Sequence, residues 1–120
     1  MKLKLVFSVF ILIFVVSCMH SSMELKDKEV FSYASSLTSK GMYEDALDYY
    51  KGLLDKKLDK NLKAKIYNNM AVIYEIKGEN TKAREYYRKA INLTNNKNIY
   101  QNYKLFLDTL WLKKSYYIYW

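Results

Sequence analysis

A set of small residues and tyrosines recurs along this chain at an interval of 37 residues, and that recurrence limits the fold more than any other feature. In the stretch Ala64–Asn96, AKIYNNMAVIYEIKGENTKAREYYRKAINLTNN, the markers are Ala71, Gly78, Ala83, Tyr86, Tyr87 and Arg88. Their counterparts are Ala34, Gly41, Ala46, Tyr49, Tyr50 and Lys51. Apolar residues at helical spacing flank each glycine: Val30, Tyr33, Ala34 and Leu37 before Gly41, then Tyr43, Ala46, Leu47, Tyr50, Leu53 and Leu54 after it. Each unit therefore reads as a helix, a one-glycine turn and a second, antiparallel helix. The alanines let a neighbouring helix approach closely, so the hairpins are predicted to stack on each other. Leu53 stands where the second unit has Ala90, and its bulk should push helices apart at that contact.

With no proline and three glycines in 120 residues, the chain lacks the turn punctuation a sheet protein needs, and it reads as all-α. The net charge of +8 is spread among alternating acids and bases rather than gathered in a run, which argues against nucleic acid as a partner. The single cysteine, Cys18, excludes an internal disulfide and a cysteine-rich metal site, and the single histidine, His20, has no partner at ligand spacing.

The spacing resembles the tetratricopeptide repeat. Tyr67, Met70, Ala71 and Tyr74 fall at that family's first-helix packing positions, Gly78 at its turn, and Ala83, Tyr87 and Ala90 on its second helix. The family's closing proline is replaced by Asn95. Its period is about 34 residues, so about three extra residues are expected within 57–61 or in one more turn of the helix before it. The resemblance implies two such hairpins, at residues 24–60 and 61–97. A third segment at 98–120, with Ile99, Tyr103, Phe106, Leu110 and Trp111 near helical spacing, is expected to close the open end of the stack; a degenerate third repeat is the alternative. The aromatic tail SYYIYW has three available fates: packing back, a membrane interface, or a partner surface.

Residues 1–17, MKLKLVFSVFILIFVVS, carry two lysines and then an apolar run from Leu5 to Val16. That run is shorter than the roughly 20 residues a membrane-crossing helix needs and fits a signal-peptide core. Val15, Val16, Ser17 and Cys18 resemble the bacterial lipobox. The resemblance implies cleavage before Cys18, whose thiol takes a diacylglycerol group and whose new amino group takes an acyl chain. These covalent lipids are the only non-protein groups expected. Two or three chains at about 0.8 kcal/mol per buried methylene anchor a protein permanently. Residues 18–23 then form a lipidated tether, with Ser22 available to cap the next helix. Met19 is not the aspartate that retains some lipoproteins at the inner membrane, which by analogy favours the outer membrane.

Catalytic arrangements are missing: there is no second histidine, phosphate loop, GxSxG, SxxK or HExxH. Acid pairs such as Glu44 with Asp45 and Glu75 with Glu79 stand near bases at helical spacing, as on a solvated face. No enzyme and no metal are expected. In the resembled family the first helix of each unit lines a groove for peptides. The corresponding residues are Lys28, Phe31, Ser35 and Thr38 from the first unit, and Lys65, Asn68, Asn69, Val72 and Glu75 from the second. A carboxylate clamp is not supported, because Phe31 and Ser35 stand at its lysine and first asparagine positions and only Asn69 has a counterpart. The expectation is a membrane-anchored adaptor in the bacterial envelope that binds a protein or peptide, itself included, in the assembly of an envelope or secretion complex. A surface-displayed lipoprotein contacting host or neighbouring cells is the alternative, and a subunit regulating an envelope hydrolase a third.

Overall fold

The computed structural model describes residues 2–118, except for the side chains of residues 3–5, 18, 20, 21, 23 and 115–118. Five helices follow one another: α1 (Lys2–Ser39), α2 (Tyr43–Leu54), α3 (Lys60–Ile76), α4 (Asn80–Ile91) and α5 (Lys97–Ile118). No strand occurs among the described residues. Helices α1 and α2 form one hairpin and α3 and α4 a second, and the two stack into a TPR-like solenoid.

Both hairpin turns use the glycine that the recurrence marks. Gly41 and Gly78 hold φ of 77° and 76°, the left-handed conformation open to a residue without a Cβ. Past each glycine an amide reaches back to the helix just ended: Met42 N–H donates to the Leu37 carbonyl at 3.0 Å, and Glu79 N–H to that of Tyr74 at 2.8 Å. This is the C-terminal capping pattern that lets a helix stop and reverse within three residues.

Helices α3 and α5 are also begun alike. The Asp59 carboxylate accepts from the amides of Asn61 (2.9 Å) and Leu62 (3.0 Å), and the Asn96 side chain from those of Asn98 (2.9 Å) and Ile99 (3.4 Å). Each fixes the first turn of the helix behind it. Asp59 and Asn96 stand 37 residues apart, so α5 starts in the register of α3. It packs against α4 and α3 as α3 packs against α2 and α1. Helix α5 is thus the first helix of a third unit, and in that position it also covers α4.

The core follows the small residues. Ala34, Ala46, Ala71, Ala83 and Ala90 are completely buried, and Tyr50 and Tyr87 fill the space between helices. Leu53 is buried as well, at the place where the other hairpin has Ala90. Two aromatic residues expected on the packing stripe face solvent instead: Tyr33 is 52% and Trp111 69% exposed. They lie on α1 and α5, the first and last helices of the stack described.

Helix α1 departs most from the expectation. It runs unbroken from Lys2 to Ser39, through residues 18–23, because the chain has neither glycine nor proline before Gly41. Ser22 caps nothing: it lies within α1, where its hydroxyl donates to the Met19 carbonyl at 2.9 Å. The apolar stretch from Val6 to Val16 is solvent-exposed, and no helix among the described residues is long and apolar enough to cross a membrane. The side chain of Cys18 and those of the aromatic tail lie outside the described residues.

Candidate functional site

The first helix of each unit, α1, α3 and α5, faces one side of the stack, and the nine groove residues expected from the sequence fall on α1 and α3. Their environments divide them into two groups. Lys28 and Lys65, equivalent positions of the two units, are exposed. The Lys28 ammonium donates to Glu24 at 2.8 Å, and that hydrogen bond holds its pKa above the usual lysine value. Lys65 makes no ion pair among the described residues.

Six of the other seven are built into contacts between helices, and Thr38 bonds within its own helix. Ser35 lies 3.1 Å from the Tyr50 hydroxyl, and Asn69 Nδ2 donates to the same hydroxyl at 2.9 Å and to Ser35 Oγ at 3.3 Å. The neighbouring Asn68, 8% exposed, donates to Asn69 Oδ1 at 3.4 Å and accepts from Asn102 on α5 at 3.1 Å. A polar ladder therefore crosses all three first helices. Glu75 accepts from the Tyr87 hydroxyl at 2.8 Å. Burial, reinforced by that hydrogen bond, pushes the Tyr87 phenol well above the ordinary tyrosine range. Phe31 packs its ring 5.9 Å from that of Tyr50, Val72 packs on the core, and Thr38 donates to the Ala34 carbonyl at 3.0 Å.

These side chains are half-buried or buried, and their hydrogen bonds are made within the stack. They shape the face and fix the helices that form it, and they leave Lys28 and Lys65 as the groups turned toward solvent. The ladder also includes two members not anticipated from sequence, Asn102 and the Tyr50 hydroxyl. A signal for the first existed: Ser35 with Asn69 and Asn68 with Asn102 are both 34 residues apart, the interval of the resembled repeat.

Among the described residues no three potential metal-ligating side chains come together. What the face turns to solvent is the positive charge of Lys28 and Lys65 on a surface shaped by the bonded side chains.

Residues 32–111 match a family described as a domain of unknown function (DUF6340). The chain belongs to that family. The match takes in the last eight residues of α1, then α2, α3, α4 and α5 as far as Trp111, and it leaves out the rest of α1, including the apolar stretch, Cys18, Lys28 and Phe31. The chain is also similar to the photosystem I assembly protein Ycf3 of Cyanophora paradoxa, with 39% identity over 71 residues. That alignment covers 57% of this chain and 41% of the relative, so the chain spans about two fifths of that protein's length.

Proposed function

We propose that this DUF6340 member is a lipid-anchored adaptor of the bacterial cell envelope, holding a protein partner on the face made by α1, α3 and α5. The observation that carries the reading is the alignment of three first helices into one face, with Lys28 and Lys65 repeated across it at equivalent positions. Repeated cations at fixed separation suit a partner segment with acidic residues, and electrostatic complementarity of this kind sets specificity and encounter rate. Similarity to a protein named for assembling a photosystem supports a role in building a larger complex. The reading assigns no catalysis and no cofactor.

The anchor is Cys18, taken up through the lipobox-like Val15–Val16–Ser17–Cys18. Cleavage before it would remove the exposed apolar part of α1 and leave the hairpins attached through residues 18–23. The outer membrane is the destination favoured by Met19.

The test is a crosslinked pull-down from native membranes with wild type, Lys28→Glu/Lys65→Glu and Cys18→Ser chains, read by mass spectrometry. A stoichiometric envelope partner kept by wild type and lost on charge reversal supports the adaptor; recovery of the chain alone from every sample overturns it. Membrane fractionation tests the anchor separately. The Cys18→Ser chain should leave the salt-washed membrane fraction, and its retention there would remove lipidation from the account.

A further inference from the structure

The two hairpins are alike in backbone, yet one has a cleft where the other is filled. The cleft lies between α1 and α2, has a volume of about 380 Å3, and is lined by Val30, Asp48, Tyr49, Gly52, Leu53 and Lys56. The 37-residue equivalence says what occupies the same place in the second hairpin: Tyr67 for Val30, Glu85 for Asp48, Tyr86 for Tyr49 and Lys89 for Gly52. There Tyr67 lies 5.9 Å from Tyr86. The Lys89 ammonium stands 4.8 Å from the Tyr86 ring centre and 5.9 Å from that of Tyr67. Glu85 holds that ammonium at 2.6 Å. Ring, ring, cation and carboxylate complete one another.

In the first hairpin half of this set is missing. Tyr49 keeps the place of Tyr86 but is 44% exposed, touched edge-on by Tyr33 at 5.0 Å. Val30 is too short to supply the second ring. Gly52 supplies no cation, and a Cβ built on it would meet nothing within 4 Å. Asp48 keeps the carboxylate and, among the described residues, pairs with Lys51 alone, at 3.6 Å. Lys56 at the rim is already engaged, its ammonium 2.6 Å from the buried Asp27. The cleft therefore keeps an aromatic wall and an acid while lacking the ring and the cation that its twin supplies from within.

We propose that this cleft receives an aromatic side chain of a partner polypeptide, accompanied by a lysine or arginine of the same partner. The ring would pack on Tyr49 over Val30 and Leu53, and the cation would sit beside Asp48, reproducing the Tyr67–Tyr86–Lys89–Glu85 arrangement in trans. The volume is at the lower end of the range of ligand-binding clefts, about 300–1,000 Å3. None of the first-helix face residues lines the cleft, so this contact is separate from the adaptor face. Charge reversal at Lys28 and Lys65 should leave it unchanged.

The test uses the full chain in lipid nanodiscs with methyl groups labelled, following Val30 and Leu53 by NMR during titration with three capped dipeptides. Ac-Tyr-Lys-NH2 should shift both methyls with an affinity on the order of 1 mM, and Ac-Leu-Lys-NH2 and Ac-Tyr-Glu-NH2 should each bind about threefold or more weakly. Filling the cleft with its twin's residues, Val30→Tyr/Gly52→Lys, should abolish the shifts while helicity is kept. Asp48→Asn, which leaves the cleft open, should erase the preference for the lysine over the glutamate probe. Absence of shifts at about 10 mM, equal binding of all three probes, or a preference unchanged in Asp48→Asn would overturn the proposal. If the filled variant fails to fold, the Asp48→Asn comparison decides alone.

Discussion

The side-chain amide of Asn69 on α3 donates to the hydroxyl of Tyr50 on α2 across 2.9 Å, tying the second hairpin to the first at a tyrosine that has no exposed surface. The 37-residue counterpart of Asn69 is Phe106, which meets the counterpart tyrosine, Tyr87, ring to ring at 5.3 Å. One junction is thus closed by a hydrogen bond and the other by aromatic packing. At the second, Glu75 takes the hydroxyl.

The bond at the first junction should be measurable as a coupling. Asn69→Ala leaves the Tyr50 hydroxyl with Ser35 alone and should cost about 1–2 kcal/mol of stability. In a double-mutant cycle with Tyr50→Phe, the coupling should be about 1 kcal/mol by denaturant unfolding. Additive effects would mean that the two side chains do not support each other.

Gly78 is surrounded by open space, since a Cβ placed on it meets nothing within 4 Å, and its φ is positive. The cost of substitution there is therefore conformational rather than steric. Gly78→Ala should destabilise by about 1 kcal/mol, and Gly78→Asn by less, because asparagine tolerates the left-handed region. The same order is expected at Gly41. Thermal melts that rank Asn below Ala would contradict the geometry.

Ala71 and Ala83 are each fully buried at helix contacts. Leucine at either position should overpack the contact and cost about 1–3 kcal/mol, read by circular dichroism melts. Unchanged melts in both variants would be incompatible with the close approach of these helices.

Alkaline pH should loosen the second hairpin. The Tyr87 phenol is raised by burial and by its bond to Glu75, so the folded state favours the protonated form. That contribution is complete below the pKa of an unfolded tyrosine, about 10, and is lost as pH rises above it. Stability should therefore fall above about pH 10, and Tyr87→Phe should flatten that fall at a cost of about 1 kcal/mol at neutral pH. A slope unchanged in the variant would assign the alkaline loss to other groups.

The parts of the fold legible in the sequence are those set by local backbone and volume. A glycine that must turn left and an alanine that must let a helix approach admit few substitutes, so Gly41, Gly78, Ala34, Ala71, Ala46 and Ala83 could be read directly. The starts of α3 and α5 carry a weaker signal of the same kind in Asp59 and Asn96, which share the interval and the capping chemistry. The face was less legible. Its nine residues lie on α1 and α3, but periodicity along one helix does not say how far it slides along the next. That stagger turns Ser35, Asn68 and Asn69 toward neighbouring helices, where they bond to one another and to Tyr50 and Asn102. Tyr33 and Trp111 show the same limit: their spacing is helical, but whether a helix lies over them depends on where the stack ends.

Because α3 and α5 begin with the same cap, in the same register and against the same kind of surface, the stack is modular in a practical sense. A duplicate of residues 60–96 spliced after Asn96 would present to α5 the surface it already recognises, and would find beneath it the surface α5 now occupies. Such copying would create one new junction, where the inserted Asn69 meets Tyr87 in place of Phe106, so the cost of lengthening the stack is concentrated at a single side chain.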